Sequence, residues 1–468
     1  MDMLLIMRII VLLGVIFIGI RLGGMAIGYT GGIGVIILSL FLGMNPGAIP
    51  FDVILIIMSV IAAITAMQVA GGLDYMVKVA ERILRNNPKH INYLAPSVTY
   101  FLTFLAGTGH TAFAMIPVIV EVAKEQNIKP AAPLSISVVS SQIAITASPV
   151  SAAVVFMTGI LEPLGWSYPQ LLIIWLITTF AGCMLTAFIV STFFTGKLSD
   201  DPIYLERLKE GLVKQTHEKT NADLKPYAKR SVAIFIAGVV IVVIYATLIS
   251  DAVRIPIRDY LISVSPDGSG LSGLIAAYID PAPMGRDAAI MSFMLGIATL
   301  IIYACKVETG KLASTSTFQS GMTACVCVLG VAWLGNTFVG GYTQEIQSLS
   351  QDLISKYPPL LAVALFFAST LLYSQAATAK ALIPVVIIAL GITPESSQST
   401  YILVASFAAV SALFVLPTYP TLLGAVQMDD TGSTRLGKYV FNHAFLIPGI
   451  LAIALSVTFG FILAPMFA

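Results

Sequence analysis

Two stretches of the chain place small, hydroxylated and proline residues inside otherwise apolar sequence. The first contains GTGHT at Gly107 and TASPVS at Thr146, and the second contains SQAATAK at Ser374 and PTYPT at Pro417. The two halves of the chain thus repeat one pattern. In membrane proteins, interrupted hydrophobic segments at corresponding positions of two halves are the best sequence indication of a transporter's binding site. The pattern predicts a secondary transporter.

Hydrogen-bonding groups and free helix ends are the chemistry that these four interruptions offer. An unpaired backbone amide is costly in hydrocarbon, so a non-helical break at that depth lies buried in protein or faces a polar cavity. Free amides at a helix N-terminus favour an anion, and Ser and Thr hydroxyls add donors. We interpret the breaks as a site whose two hairpin tips hold the two ends of a dicarboxylate. Proline and glycine could instead only kink these helices, but four breaks in matched pairs favour a site.

The predicted substrate-binding residues come from all four interruptions. They are Gly107, Thr108, Gly109, His110 and Thr111 in the first tip, Ser148, Pro149 and Ser151 in the first broken helix, Ser374, Gln375, Thr378 and Lys380 in the second hairpin, and Pro417, Thr418, Tyr419 and Thr421 in the second broken helix. Lys380 could neutralise a substrate carboxylate, as intramembrane cations often do, or its stem could snorkel to the surface. His110 could titrate with a coupled proton, although a plain hydrogen bond is the simpler role.

Composition excludes the soluble and disordered classes of protein. Of 468 residues, 57% are hydrophobic and 10% are charged, and apolar runs long enough to span hydrocarbon recur along the chain. The first run, residues 4–20, is followed by no convincing cleavage site, so we interpret it as a retained span. The sequence predicts an all-α polytopic membrane protein with the lipid bilayer as its partner. The net charge of +1, with basic residues spread over connecting segments, predicts no nucleic-acid partner.

The chain lacks the motifs of catalysis, metal binding and ATP-driven transport. Neither HExxH nor a P-loop occurs. The GxSG element at residues 270–273, which also occurs in rhomboid-type proteases, is expected in a polar loop without a credible partner histidine. Cys325 and Cys327 lack the spacing of a zinc site. We predict that the protein is not an enzyme and needs no cofactor or metal, while coupling to Na⁺ or H⁺ stays open. A channel is the competing class.

The repeat pattern divides the chain into two halves joined by a polar loop. The first half covers residues 1–195, with scaffold helices at 1–70, a connector at 71–90, a hairpin at 91–123, a broken helix at 134–162 and a helix at 169–195. Residues 196–229 form the linker loop. The second half covers residues 230–468, with scaffold helices at 230–338, a connector at 339–358, a hairpin at 359–391, a broken helix at 398–426 and a helix at 440–467. Both connectors open with Gly-Gly and are too short and polar to span, which indicates interfacial helices.

Basic residues predict the orientation in the membrane. If residues 91–122 form a re-entrant hairpin, most of the 25 Lys and Arg residues lie on one side, and the positive-inside rule makes that side cytoplasmic. The linker loop is then cytoplasmic and both termini are periplasmic. Each half has five transmembrane helices and one re-entrant hairpin, and the odd number of crossings makes the repeat inverted. If the hairpin were a full crossing, the inversion would fail; we favour the hairpin.

Several long motifs resemble those of one transporter family. They are GTGH at Gly107, QIAITASPVSAAVV at Gln142, CVLGVAWLGNTF at Cys327, YSQAATAKALIP at Tyr373 and LPTYPTLLGAVQMDDTG at Leu416. On these motifs the chain resembles the anaerobic C4-dicarboxylate transporters of the Dcu family. The resemblance covers essentially the whole chain, and the DcuA-like branch is the one that it looks most like.

The resemblance implies a bacterial inner-membrane antiporter of fumarate, succinate, malate and aspartate. It also implies the fold of the elevator-type ion-transporter superfamily, with hairpins and broken helices in a mobile body, and a homo-oligomer by analogy. Two departures limit the site residues: His110 alternates with asparagine in the family, and Lys380 is typical of the DcuA-like branch but not of the DcuB-like one. Neither is therefore indispensable to the whole family. The alternative is an anion channel or an ion-coupled dicarboxylate symporter.

Overall fold

The protein is built from α-helices that are joined by short turns. The computed structural model describes residues 3–22, 25–49, 51–213, 224–264, 270–280, 282–342, 357–372, 374–389, 392, 399–415, 419–435 and 442–467. Within these ranges there is no β-strand, and one isolated antiparallel bridge joins Ile128 to Lys197. The prediction of an all-helical chain is confirmed.

The helices are numbered here in chain order over the described residues. The first ten are α1 (Met3–Leu22), α2 (Ala26–Ile36), α3 (Phe51–Val69), α4 (Gly72–Asn86), α5 (Ile91–Ala106), α6 (Ile116–Glu125), α7 (Ala131–Ala144), α8 (Ala152–Leu161), α9 (Tyr168–Phe193) and α10 (Pro202–Lys209). The others are α11 (Ala228–Leu248), α12 (Asp251–Val264), α13 (Gly270–Ile279), α14 (Arg286–Ala304), α15 (Ser316–Cys327), α16 (Trp333–Gly340), α17 (Leu360–Leu372), α18 (Gln375–Ala389), α19 (Tyr401–Ser406), α20 (Pro420–Met428) and α21 (Leu446–Leu463).

Length and apolar composition mark several of these elements as membrane spans. Within the described residues, six helical segments are long and apolar enough to cross a bilayer: Phe51–Val69, Tyr168–Phe193, Ala228–Leu248, Arg286–Ala304, Ser316–Gly340 and Leu446–Met466. With 57% hydrophobic residues in the sequence, they make the protein a polytopic membrane protein. The GxSG element at residues 270–273 corrects one expectation, because it forms the first turn of α13 rather than part of a loop.

Glycines allow two membrane helices to cross at very short range. A π-helical segment, Val328–Ala332, joins α15 to α16, and α2 crosses the chain there. A Cβ on Gly330 would lie less than 3.0 Å from the carbonyl O of Gly28, and a Cβ on Gly31 less than 3.0 Å from the carbonyl C of Gly330. Small residues at such crossings let the backbones of membrane helices approach each other. A side chain at either position would force the helices apart.

The helices pack in two groups. In the first, which we call the α3–α14 group, α3 lies along α14, α2 contacts α1 and the α15–α16 segment, and α11 contacts α14. In the second, the α9–α21 group, α9 lies along α21, α5 along α7, α18 against α8, and α17 against the turn Phe407–Ser411. Gly182 of α9 lies so close to Ser456 of α21 that a Cβ would overlap it. The predicted polar interruptions that the structure describes all belong to the α9–α21 group.

Helix α4 lies between the two groups. It begins after Gly71, whose φ of 86° is left-handed, and it contacts α3 and α11 on one side and α5 and α6 on the other. Its Arg85 binds three carboxylates, at 2.6 Å from Glu81, 2.6 Å from Glu121 and 2.5 Å from Glu125. This network fastens α4 to α6. Most of the second predicted connector, residues 343–356, lies outside the described residues.

The first part of the linker loop docks onto the α9–α21 group. Asp201 caps α10 by accepting hydrogen bonds from the amides of Ile203 and Tyr204, and its carboxylate lies 2.8 Å from Nζ of Lys129. Arg207 of α10 donates to the carbonyl O of Asp430 at 2.9 Å. Residues 214–223 of the predicted linker lie outside the described residues.

Candidate functional site

The first interruption is a tight turn between α5 and α6. Gly107 ends α5 in the left-handed conformation, with a φ of 68°, which suits glycine because a Cβ is unfavourable there. A Cβ on Gly107 would also lie 2.9 Å from Cγ2 of Val150. A 3-10 segment, Gly109–Ala114, leads into α6. It contains His110 and Thr111, whose side chains lie outside the described part of the structure.

Gln142 links this turn to the first broken helix. It lies near the end of α7, and a Cβ on Gly109 would lie less than 3.0 Å from its Nε2 atom. Thr108 is half-buried beside them. The buried Oε1 atom of Gln142 has no hydrogen-bond partner among the described residues. Because a desolvated carbonyl oxygen without a donor is costly, this atom is a candidate contact for a bound molecule.

The first broken helix exposes the N-terminus of α8. The α7 helix ends at Ala144 and α8 begins at Ala152. Ser151 caps α8: its Oγ accepts from the amide of Val154 at 3.2 Å and donates to the carbonyl O of Ile145 at 2.7 Å. Ser148 is fully buried, and its Oγ has no partner within the described ranges. The break therefore offers a capped helix N-terminus beside an unpaired hydroxyl.

The second hairpin tip meets the first hairpin tip and the first broken helix at Gln142. Ser374 precedes α18, and its Oγ accepts a hydrogen bond from the amide of Ala377 at 3.2 Å. Nε2 of the adjacent Gln375 donates to the carbonyl O of Gln142 at 3.3 Å. Thr378 is buried and donates to the carbonyl O of Ser374 at 2.8 Å. The structure thus brings the first tip, the first break and the second tip together.

The second broken helix contacts the first hairpin tip. Helix α20 begins at Pro420, and it packs against the turn Gly109–Ala114 and α6. Thr421 is fully buried, and its Oγ1 has no partner in the described part of the chain. Tyr419 precedes α20 at its N-cap position. The remaining predicted residues of this break, Pro417 and Thr418, lie outside the described residues.

Lys380 has a partner that the sequence did not reveal. Its ammonium pairs with the carboxylate of Asp52, in the first turn of α3, and lies 5.3 Å from the ring centre of Phe156. The predicted role of Lys380 in binding a substrate carboxylate stays a prediction, because its partner in the structure is Asp52 of the α3–α14 group. Asp52 was missed because an acidic residue at the start of an apolar helix is an ordinary N-terminal residue.

The site's electrostatics come from helix ends. The N-termini of α8, α18 and α20 lie at the interruptions, and each carries partial positive charge from its unpaired amides. No Asp, Glu, Lys or Arg occurs between residues 130 and 161. No group of three or more His, Cys, Asp and Glu side chains that could hold a metal occurs in the part of the chain that the structure describes. Buried hydroxyls and helix N-termini suit a small anion, and coupling to Na⁺ or H⁺ stays a prediction.

Comparison with known proteins identifies the family. Residues 4–468 match the profile of the family described as anaerobic C4-dicarboxylate membrane transporter. The chain belongs to this family. The Dcu resemblance of the sequence motifs is thereby confirmed, and a family of membrane transporters is not an enzyme class.

Curated relatives place the chain near the DcuA branch of this C4-dicarboxylate transporter family. It is 61% identical over 459 residues to the C4-dicarboxylate transporter DcuA of Helicobacter pylori, covering 98% of each chain. It is 60% identical over 463 residues to DcuA of Wolinella succinogenes, covering 99% of this chain and all of that one. Identity to the anaerobic C4-dicarboxylate transporter DcuB of Escherichia coli is 34% over 476 residues. The similarity to DcuA proteins confirms the predicted branch.

Proposed function

We propose that this protein exchanges C4-dicarboxylates such as fumarate, succinate, malate and aspartate across the bacterial inner membrane. The family and the names of its relatives support the substrate class. The observation that carries the proposed site is the meeting of two tips and a broken helix at Gln142. A dianion there would accept hydrogen bonds from two buried hydroxyls that have no partner among the described residues, Ser148 Oγ and Thr421 Oγ1.

In the proposed binding mode, helix ends rather than a free cation offset the charge of the substrate. One carboxylate binds at the N-terminus of α8, near Ser148, and the other near the start of α18 and Thr421. A carboxylate at a helix N-terminus gains about 0.3–1 kcal/mol at an exposed site, and up to about 2 kcal/mol where it is partly buried. Hydroxyl donors add neutral hydrogen bonds.

An inverted repeat with re-entrant hairpins is part of the proposal, and matched helix contacts support it. Helix α5 packs on α7 in the first half, while α17 packs on the turn Phe407–Ser411 in the second. Helix α8 contacts α18, while α20 contacts α6; likewise α3 contacts α14, while α2 contacts α15 and α16. For each of these contacts, the corresponding helices of the opposite half make the equivalent contact. A two-fold relation between the halves accounts for this pattern.

An elevator mechanism would move the α9–α21 group, with the site, relative to the α3–α14 group. The division of the helices into two packing groups supports this assignment, and α4 lies where a connecting arm is needed. Substrate would offset the positive helix ends and allow the loaded body to cross, which yields antiport. The positive-inside distribution supports periplasmic termini, and family analogy supports an inner-membrane location and a homo-oligomer.

Transport into proteoliposomes tests the proposed function. We expect uptake of labelled succinate and aspartate to rise several-fold when unlabelled fumarate is inside the vesicles. Uptake that saturates but ignores internal fumarate, and follows a Na⁺ or H⁺ gradient, would replace exchange by symport. Conductance without saturation would indicate an anion channel.

A matched pair of variants tests the position of the site. Gln142→Glu puts a negative charge beside the proposed dianion, so we expect at least a tenfold loss of affinity, since 1.4 kcal/mol of repulsion is tenfold. Gln170→Glu makes the same change at the N3 position of α9, where Gln170 belongs to a capping box with Ser167. Glutamate also fits a capping box, so this control should transport normally. Equal affinity in the two variants would contradict the proposed site.

A further inference from the structure

Two ion pairs join the two packing groups. Lys380 of α18 pairs with Asp52 of α3, and Arg286 at the start of α14 pairs with Glu162, which directly follows α8. In each pair, one residue belongs to the α3–α14 group and the other to the α9–α21 group. These contacts must change if the groups move relative to each other.

Arg286 makes a buried, three-part contact with the group that carries the site. Its Nη2 lies 2.6 Å from Oε2 of Glu162, and its Nη1 donates to Oγ1 of Thr158 at 2.8 Å. The guanidinium also lies 4.7 Å from the ring centre of Tyr168. The side chains of Arg286 and Glu162 are only 10% and 16% exposed. Because its two Nη atoms contact different groups, the planar guanidinium fixes both partners in orientation as well as in distance.

Tyr168 connects this contact to the broken helix. Its hydroxyl donates to the carbonyl O of Pro149 at 3.3 Å, and Pro149 lies in the break between α7 and α8. A displacement of Arg286 would therefore move the ring of Tyr168, whose hydroxyl binds the carbonyl O of Pro149 in the break. Two contacts thus link Arg286 to the proposed binding site: the first joins Arg286 to Tyr168, and the second joins Tyr168 to Pro149.

The second pair holds the same helix from another face. Lys380 lies against the ring of Phe156, one turn into α8. Asp52, Phe156 and Asp287 also line a cavity of about 160 Å³ that separates α8 from the ends of α3 and α14. One member of the Lys380–Asp52 pair, and the residue next to Arg286, thus line the space between α8 and the α3–α14 group.

We propose that Asp52 and Arg286 are positioning residues that hold α8 and α18 against the α3–α14 group, and that both ion pairs separate in each transport cycle. The proposal rests on the elevator exchange described above. Neither residue needs to touch the substrate. A partly buried charge that loses its partner is costly. The pairs therefore stabilise the conformation described here, and each transport cycle must restore them.

Cross-linking tests whether the pairs separate. In a parent protein whose four cysteines are replaced by alanine, Asp52→Cys with Lys380→Cys, and separately Glu162→Cys with Arg286→Cys, are treated in membranes with a bifunctional methanethiosulfonate reagent whose spacer matches the reach of the two native side chains. We expect a cross-link in each, loss of fumarate–succinate exchange, and recovery when a thiol reductant releases the reagent. The control is Lys124→Cys with Asp430→Cys, whose native ion pair of 2.8 Å lies within the α9–α21 group. Its cross-link should leave exchange unchanged. Full exchange with either test pair cross-linked would overturn the proposal.

Reversing both charges of a pair separates a role of the ion pair from a purely structural role, because only the ion-pair role predicts that exchange recovers. Asp52→Lys alone brings two cations together, so we expect exchange to fall about fivefold or more, the change that roughly 1 kcal/mol produces. Adding Lys380→Asp restores the pair in reverse and should return exchange to within about twofold of the parent. A double variant no faster than Asp52→Lys would contradict the proposal. If the parent protein itself does not exchange, the proposed function fails; if only the variants depart from expectation, the ion-pair assignment fails.

Discussion

Nε2 of Gln375 donates a hydrogen bond to the carbonyl O of Gln142, across 233 positions of the sequence. The bond ties the start of α18, in the second half of the chain, to the end of α7, in the first. On its other side Gln142 lies against Gly109. Gln142 is therefore the residue at which three of the four interruptions meet, the second tip through its main chain and the first tip through its side chain. It is the position where a small change should have the largest effect on binding.

Gly109→Ala should weaken substrate binding without unfolding the protein. The new Cβ would displace the Gln142 amide, which is the flexible end of a side chain, so the change falls on the site rather than on the backbone. We expect about a threefold to tenfold higher Kd for succinate in a binding assay, corresponding to about 1 kcal/mol of overpacking. The control is Gly296→Ala in α14, where a Cβ meets nothing within 4 Å. Unchanged affinity in Gly109→Ala would place the substrate elsewhere.

Gly31→Ala should destabilise the crossing of α2 with the α15–α16 segment. Its Cβ would collide with the backbone of Gly330, which cannot rotate away, and overpacking of this kind costs about 1–3 kcal/mol. The adjacent Gly32 faces open space, so Gly32→Ala should be neutral or stabilising by up to about 1 kcal/mol through helix propensity. Thermal unfolding in detergent compares the two. Equal melting temperatures would contradict the close crossing.

Asp201 should make the docking of α10 sensitive to acid. Burial alone would raise the pKa of Asp201, but Lys129 and the amides of Tyr204 and Ile203 outweigh it and hold the pKa below its ordinary value. Because the folded-state pKa is the lower one, the stabilisation is complete above the unfolded pKa, near about 4. It is lost as the pH falls through the folded pKa.

Thermal unfolding from pH 7 to pH 3 tests this linkage. Wild type should melt above Asp201→Asn by a constant margin down to about pH 5, and the margin should narrow below about pH 4. The neighbouring Asp200 is exposed, so Asp200→Asn should track wild type. A margin that widens as the pH falls would mean that the sign is wrong.

Arg85→Gln should loosen α4 from α6. The substitution leaves three carboxylates, those of Glu81, Glu121 and Glu125, close together without their cation. We expect a lower melting temperature, by the equivalent of about 1 kcal/mol, and slower exchange, with partial recovery at high salt because salt screens the repulsion. Arg82 is exposed on the same helix, so Arg82→Gln is the control. The network would be irrelevant if both variants melted and exchanged alike.

The sequence predicts the helical class and the family well, because both depend on long runs of residues. Apolar length sets the membrane spans, and the Ser-Pro interruption after Gln142 coincides with the gap between α7 and α8. The second broken helix is harder: α19 ends at Ser406 and a 3-10 turn follows, in an apolar stretch without Gly or Pro. Local sequence carries no signal for that end.

Long-range pairs are the part that the sequence could not predict. Lys380 is conspicuous in an apolar hairpin, but its contact with Asp52 depends on how α18 packs against α3 and α8. The same holds for the contact of Arg286 with Glu162. Pairwise contacts between distant residues follow from tertiary packing, which hydropathy and spacing do not encode. The proposed binding roles of the interruption residues stay predictions.

The packing of α9 against α21 has a consequence for biosynthesis. Gly182 in α9 leaves the space that Ser456 in α21 occupies. The indole of Trp175 in α9 donates to the carbonyl O of Val404 at 3.1 Å. Both partners are translated after the linker loop, when the first half is already complete. The first half must therefore wait in the bilayer with an unfilled face until the last helix is inserted. A truncated protein that lacks α21 should therefore be degraded by quality-control proteases and should not accumulate as a folded fragment.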